Sequence, residues 1–324
     1  MLPNRLATLL GIDVPIIQAG MSRFTSAELA AAVSNAGALG SVGCDLRPVD
    51  DLIQQLARIA GLTKHPYAIN HLLPRLDPQA WSLTLEAKPA VISFAGGDPG
   101  EKVSQAHAVG ARVMVQVQTV TQACRAAERG ADVIVAQGGE AGGHSGTVAA
   151  LALVPQVVEN VAPIPVVAAG GIADGRGFAA ALALGAQSIN IGTRFLACAE
   201  APVANEWKQM IVAAQSEDAV KFDAWNEISP LTGHDTAEAA VRTLRTPFVD
   251  EWRGRREEAR RATAELRRLV KEFTVQGRLH ELLPIAGQSA GLVHEILPAK
   301  EIVRRLVTEA ESALQEAQVM VRGR

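Results

Sequence analysis

The 324-residue sequence predicts an α/β protein, a (β/α)8 TIM barrel with a C-terminal, mostly helical insertion or extension. Three observations predict it. Eight short apolar, β-branched runs recur through the first 200 residues, with Ala/Leu-rich helical stretches between them. Their starts fall roughly 20–33 residues apart, the size of a βα unit. The composition changes near residue 200. Before it lie 22 of the 28 glycines and 28 charged residues; after it lie 37 charged residues in a shorter stretch.

The expected strands are Val14–Gln18, Ala38–Val42, Tyr67–His71, Ala90–Phe94, Arg112–Val117, Ala131–Ala136, Ile164–Ala169 and Ser188–Gly192. Helices are expected over Ser26–Asn35, Asp50–Ala60, Val120–Arg129 and Arg176–Leu184. Thr25-Ser-Ala-Glu28 reads as a capping box ahead of the first of these. Gly37, Gly61, Gly110, Gly130 and Gly185 stand where helices should stop. Eight βα repeats match the barrel's count, and glycines and polar residues collect after the strands, where barrels build their sites. A sheet opened after the fourth strand is the alternative. Beyond residue 200, Glu206–Ala214 reads as the eighth barrel helix and Ser216–Thr246 as a long loop or lid. Glu251–Val275 reads as a solvated helix laced with i,i+4 ion pairs, and Ala299–Gln318 as a final amphipathic helix. The expected organisation is a barrel over 1–215 with a return near 280–300, a helical lid over 216–280, and a C-terminal helix over 299–324.

Composition excludes several functions. Hydrophobic residues make up 48% and charged residues 20%, with a net charge of −3, so neither disorder nor a basic nucleic-acid footprint is expected. No apolar run approaches the ~20 residues of a membrane helix, and the N-terminus lacks the features of a secretory signal. Cys44, Cys124 and Cys198 lie far apart and suggest neither disulfides nor zinc, as in a reducing cytoplasm. No metal is expected.

Two glycine-rich regions carry the chemistry. Val166–Gly175 ends a strand in Gly170-Gly171 with a helix start after Asp174, and the next strand ends in Gly192-Thr193-Arg194. After the seventh and eighth strands such loops bind phosphate through backbone N–H groups; Thr193 adds a hydroxyl and Arg194 a charge. Ala136–Gly146, after the sixth strand, holds five glycines with Gln137, Glu140, His144 and Ser145, and it can lie flat on a planar ligand. A histidine suits proton transfer or polarisation of a substrate oxygen, which makes His144 the catalytic candidate; Glu140 serves equally well as a helix cap. Strand ends also supply Gln18, Asn70, His71, Ser93, and Gln116 or Gln118, and no lysine. His71 is the closest rival to His144, and it and Ser145 are the candidates for touching substrate. The GxGxxA match at Gly175 lies inside a helix, and the GxSxG match at Gly287 lacks a buried strand before it, so both are set aside.

The sequence resembles the nitronate monooxygenase family, FMN-containing barrels with a C-terminal helical insertion. The resemblance covers nearly the whole chain, through Pro15–Met21, Gln137–His144, Ala169–Asp174, Gly192–Leu196 and Ala286–Leu292. It implies FMN as cofactor. Ala19, Gly20 and Met21 would line the flavin, and Asn70 and Gln137 would hydrogen-bond its ring, with Gln116 and Ala169 beside them. Gly142 and Gly143 would lie along it; Gly170, Gly171, Gly192 and Thr193 would hold the phosphate; Gln288 and Ser289 would approach from the C-terminal segment. His144 would be the catalytic histidine. Gly20 stands where the family usually has proline, and His71 where an apolar residue is common. The implied reaction is oxidation of alkyl nitronates, or of nitroalkanes after proton abstraction, by O2 to carbonyl compounds and nitrite. The alternative on the same scaffold is an NAD(P)H-dependent reductase of quinones or enoyl thioesters. A sugar-phosphate isomerase or aldolase lacks the strand-end lysine or carboxylate pair it would need.

Overall fold

The structure, a computed structural model, describes residues 4–231 and 240–322. Eleven strands are found among them: β1 Ile16–Gln18, β2 Gly40–Gly43, β3 Tyr67–Leu72, β4 Val91–Ala95, β5 Arg112–Val117, β6 Val133–Gln137, β7 Gly143–His144, β8 Val166–Ala169, β9 Ser188–Ile191, β10 Ala219–Phe222 and β11 Val241–Leu244. Eight of them pair in parallel in the order β1-β9-β8-β6-β5-β4-β3-β2. The ring closes between β1 and β2: Leu39 N–H donates to Ile16 O and Gln18 N–H to Leu39 O, both at 2.9 Å. A sheet open at that point would leave an unpaired edge, so the open alternative is set aside.

The strands are buried on both faces, which explains their continuous apolar runs. Ile17, Leu39, Ala68, Val91, Met114, Val133, Val135 and Val167 fill the barrel interior. Leu6 and Leu10, from a helix over Arg5–Leu10, join this interior core. Each contributes about 1.5–3 kcal/mol by burial. Outside the ring, Phe94, Val115, Ile134 and Ile189 pack against the surrounding helices, which supply Leu153 among others.

Several boundaries differ from expectation. The first helix after β1 is capped by Ser26, whose Oγ accepts from Leu29 N–H at 3.2 Å, while Thr25 Oγ1 accepts from Gly43 N–H. Gly61 lies inside the helix Val49–Leu62 and does not end it. The largest difference is the eighth helix. Asn205–Ala213 packs against the turn Gln288–Leu292, whereas Ala299–Arg322 packs between Gly175–Ala183 and Ala27–Asn35. Its buried stripe (Ala299, Ile302, Val303, Leu306, Ala310) recurs at helical spacing and completes the outer ring. A Cβ on Gly175 would meet Glu309 and Ala310 at 2.3–2.4 Å, so glycine there permits the close crossing.

Residues 216–246 are not simply a loop. β10 and β11 form an antiparallel pair whose third strand is β7 from the barrel's own glycine-rich loop. This sheet packs with helices Pro247–Trp252, Arg256–Arg261 and Thr263–Val275 around Phe222, Trp225, Ile228, Val249, Ala259, Leu266 and Leu283. Part of the expected lid, 232–239, lies outside the described residues. The single helix with i,i+4 pairs expected over Glu251–Val275 is instead broken into successive helices; its ion pairs are i,i+3 (Arg255 with Glu258, Arg260 with Glu257) or reach back to Glu227, which takes Arg256 and Arg260.

Candidate active site

The C-terminal strand ends open into one cavity that is partly open to bulk water. Of the residues singled out in the sequence, Ala19, Gly20, Met21, Asn70, Gln116, Gln137, Gly142, Gly143, His144, Ala169, Gly170, Gly192, Thr193 and Ser289 line it.

The wall is built locally. A Cβ on Gly20 would sit 2.2 Å from Asn70 Cβ, so only glycine lets the first loop lie against Asn70. Asn70 Nδ2 donates to Ser93 Oγ at 2.7 Å. Gln118 Nε2 donates to Gln137 Oε1 at 2.9 Å and to His144 O at 3.1 Å, tying the end of β6 to the histidine's strand. Gly170 and Gly171 both have φ in the left-handed region, +92° and +74°, which turns the chain sharply at the end of β8. Thr193 Oγ1 accepts from Gly287 N–H at 2.9 Å, which fixes the C-terminal segment over the barrel mouth and leaves the hydroxyl proton to donate elsewhere. Gln18 spends its amide on Ala19 O and Ser41 N–H, joining β1 to β2.

Other candidates do not meet the cavity. His71 points outward, because neighbours on a strand alternate and Asn70 takes the inward place. Its Nε2 pairs with Thr84 Oγ1 at 2.9 Å, with Trp81 and Phe94 about it, and burial pushes the imidazole down to about 4. Ser145 is fully buried, its Oγ donating to Ala141 O and accepting from Lys221 Nζ. Neither is placed to touch substrate. Gly171 lies against the Glu140 side chain, and Gln288 gives its backbone N–H to Glu140 O. Glu140 itself caps the helix Ala150–Val161 through Ala150 N–H. Arg194 turns away from the cavity and donates to Ala197 O and Glu295 O.

The cavity also holds residues that sequence reasoning missed. Asn190 on β9 lines it, and its buried Oδ1 has no hydrogen-bond partner among the described residues. A lone amide two residues before Gly192 was the available signal. At the mouth, Ser22 Oγ donates to Asp45 Oδ2 at 2.9 Å; Arg75 approaches Asp45 at 3.4 Å and donates to Ser229 Oγ at 2.7 Å. Trp225, Val241 and Ile285 close the far side. Among the described residues there is no cluster of metal-ligating side chains, and no helix is long and apolar enough to cross a membrane.

Comparison with known proteins agrees with this architecture. The nitronate monooxygenase family profile matches residues 4–86 and 77–309. A nitronate monooxygenase of Pseudomonas aeruginosa is 34% identical, covering 94% of this chain and 99% of its own. A (3aS,4S,5R,7aS)-5-hydroxy-7a-methyl-1-oxo-octahydro-1H-indene-4-carboxyl-CoA dehydrogenase of Mycobacterium tuberculosis is 29% identical over 98% of both chains. The structure of FabK from Thermotoga maritima superposes with a TM-score of 0.88 at 35% identity, covering 98% of this chain and 99% of that one. With a barrel of this topology and a match over nearly all its length, the chain belongs to the nitronate monooxygenase family of flavin oxidoreductases.

Proposed function

We propose that this chain binds FMN in the barrel mouth and oxidises alkyl nitronates with O2 to carbonyl compounds and nitrite. The observation that carries the reading is His144, the only histidine among the described residues lining the cavity, set on a glycine strand beside the amides of Gln116, Gln137 and Asn190. The polar groups suit the cofactor. The unpartnered Asn190 Oδ1 suits a ring N–H. The left-handed turn at Gly170-Gly171, with Gly192 and the proton of Thr193, suits a phosphate approached by backbone. FMN when bound supplies redox and oxygen chemistry that no side chain here offers.

The chain's own part is binding, orientation and proton handling. His144 would hold the nitronate oxygen, and for a neutral nitroalkane its imidazole would take the α-proton. Residues 1–215 with the return at 280–300 form the FMN-binding barrel in this reading, with 216–280 as its lid and 299–324 as the helix completing its ring. A cytoplasmic setting agrees with three thiols that are all free.

A second reading, an NAD(P)H-dependent reductase of quinones or enoyl thioesters, has its own support. The Mycobacterium relative is named for a CoA thioester, and Leu46, Trp225, Val241 and Ile285 give this cavity an apolar side. The visible spectrum under nitrogen separates the two. A flavin that stays oxidised with NADPH but changes with an alkyl nitronate supports the first; rapid bleaching by NADPH supports the second. His144→Asn should keep its flavin and lose most turnover, and undiminished activity would sink the role given to His144.

A further inference from the structure

The inserted hairpin carries an arrangement that folding alone does not favour. Lys221 on β10 and Arg242 on β11 stand directly opposite each other. Like charges in that position repel. Both are half-buried, and among the described residues neither makes an ion pair. Both cations instead reach the same target, the glycine-rich loop 138–146. Lys221 Nζ donates to Ser145 O, to Ser145 Oγ at 2.7 Å and to Gly146 O at 3.2 Å, with a further bond to Ala240 O at 3.1 Å. Arg242 Nη2 donates to Gly139 O at 2.8 Å, while Nη1 holds Ala219 O at 2.6 Å within the hairpin. Between these two anchors, β7 pairs with β11, Val241 opposite His144 and Arg242 opposite Gly143.

We propose that Lys221 and Arg242 are positioning residues that lash the His144 strand at both ends and hold its histidine in place at the cavity. The proposal rests on the reading of His144 as the residue that meets the substrate. A loop with five glycines has much freedom to lose, and ordering one residue costs roughly 1–2 kcal/mol. The barrel alone supplies the loop's middle with little: the Gln118 contact to His144 O is a single bond. Charge-assisted bonds to carbonyls are the stronger kind, and they end on the loop's two flanks. Holding both cations there has a cost, since burial, then the charge of Arg242, pushes the Lys221 amine down to about 8.

The test is Lys221→Met in the full-length flavin-loaded protein, with amide hydrogen exchange read by mass spectrometry and steady-state turnover of an alkyl nitronate. Exchange in peptides spanning 138–146 should quicken about ten-fold while peptides of β8 and β9 keep their rates. Turnover should fall by about ten-fold or more, with KM within about three-fold, the pattern of a misaimed reacting group. Unchanged exchange in the loop overturns the proposal. So does faster exchange with wild-type kcat, provided that His144→Asn is inactive; if His144→Asn is also fully active, the reading of His144 has failed instead. Should Lys221→Met not fold, Arg242→Gln cuts the other anchor and takes the same measurements with the same two outcomes.

Discussion

Gly142→Ala puts the geometry of the cavity wall to a quantitative test. A Cβ on Gly142 would lie 2.7 Å from the carbonyl carbon of Ala286 and from the nitrogen of Gly287. Ordinary contact begins at 3.4 Å, so about 0.7 Å must be found, in an interior packed like a crystal. Both obstacles are backbone and no rotamer relieves them. The opposing segment is also anchored, through Gly287 N–H to Thr193 Oγ1 and Gln288 N–H to Glu140 O, each at 2.9 Å. The displacement therefore falls largely on the strand that carries His144, two residues on. Overpacking of this kind costs about 1–3 kcal/mol of stability. A misplacement of 1 Å costs about 10²-fold in rate, so kcat should fall by about ten-fold or more. Gly143→Ala is the comparison: among the described residues its Cβ would meet nothing within 4 Å, and its φ of +70° opposes it by about 1–2 kcal/mol. Oxygen consumption with an alkyl nitronate gives kcat, flavin absorbance per chain gives cofactor retention, and a thermal melt gives stability. A Gly142→Ala enzyme with full flavin and wild-type kcat, or one less affected than Gly143→Ala, refutes the reasoning.

Two further expectations follow from the same structure. His71 is held neutral by burial, with its folded value near 4 against an ordinary 6.5. The unfolded chain therefore takes up this proton first as pH falls, and the stability present above about 6.5 is lost toward pH 4, about 3 kcal/mol in all. Urea unfolding at pH 7 and 4.5 should show that loss, and His71→Phe should flatten it while leaving kcat within a few-fold, because the ring does not face the cavity. Thr193→Val leaves the buried Gly287 N–H without its acceptor, a loss of about 1–3 kcal/mol. It should also lose flavin on gel filtration, whereas Thr193→Ser should keep it; equal retention in the two variants would remove the hydroxyl from the cofactor's contacts.

Much of this protein was legible in the chain. Each barrel strand is a short apolar run bounded by turn residues, and that pattern is local, so eight repeats and their order could be counted. The glycines at 142–143, 170 and 192 announced places where backbone must turn or come close to something, and the cavity is lined by them. What local pattern does not carry is which distant segment lies across from which. His71 and Asn70 are neighbours in sequence, and only the register of β3 between β2 and β4 aims the amide inward and the imidazole out. Order along the chain points to Glu206–Ala214 as the helix that completes the ring; packing gives the place to Ala299–Arg322, whose longer apolar stripe fits between two helices. The strand that presents His144 exists because Val241, almost a hundred residues later, pairs with it, and Lys221 holds Ser145, the next residue, from one strand further away. Propensity and periodicity act over a few residues, so sequence alone determined the eight barrel strands and the chemistry of their ends. Pairing and burial act across the whole chain, so only the tertiary structure decided which of those ends face the cavity and what holds them there.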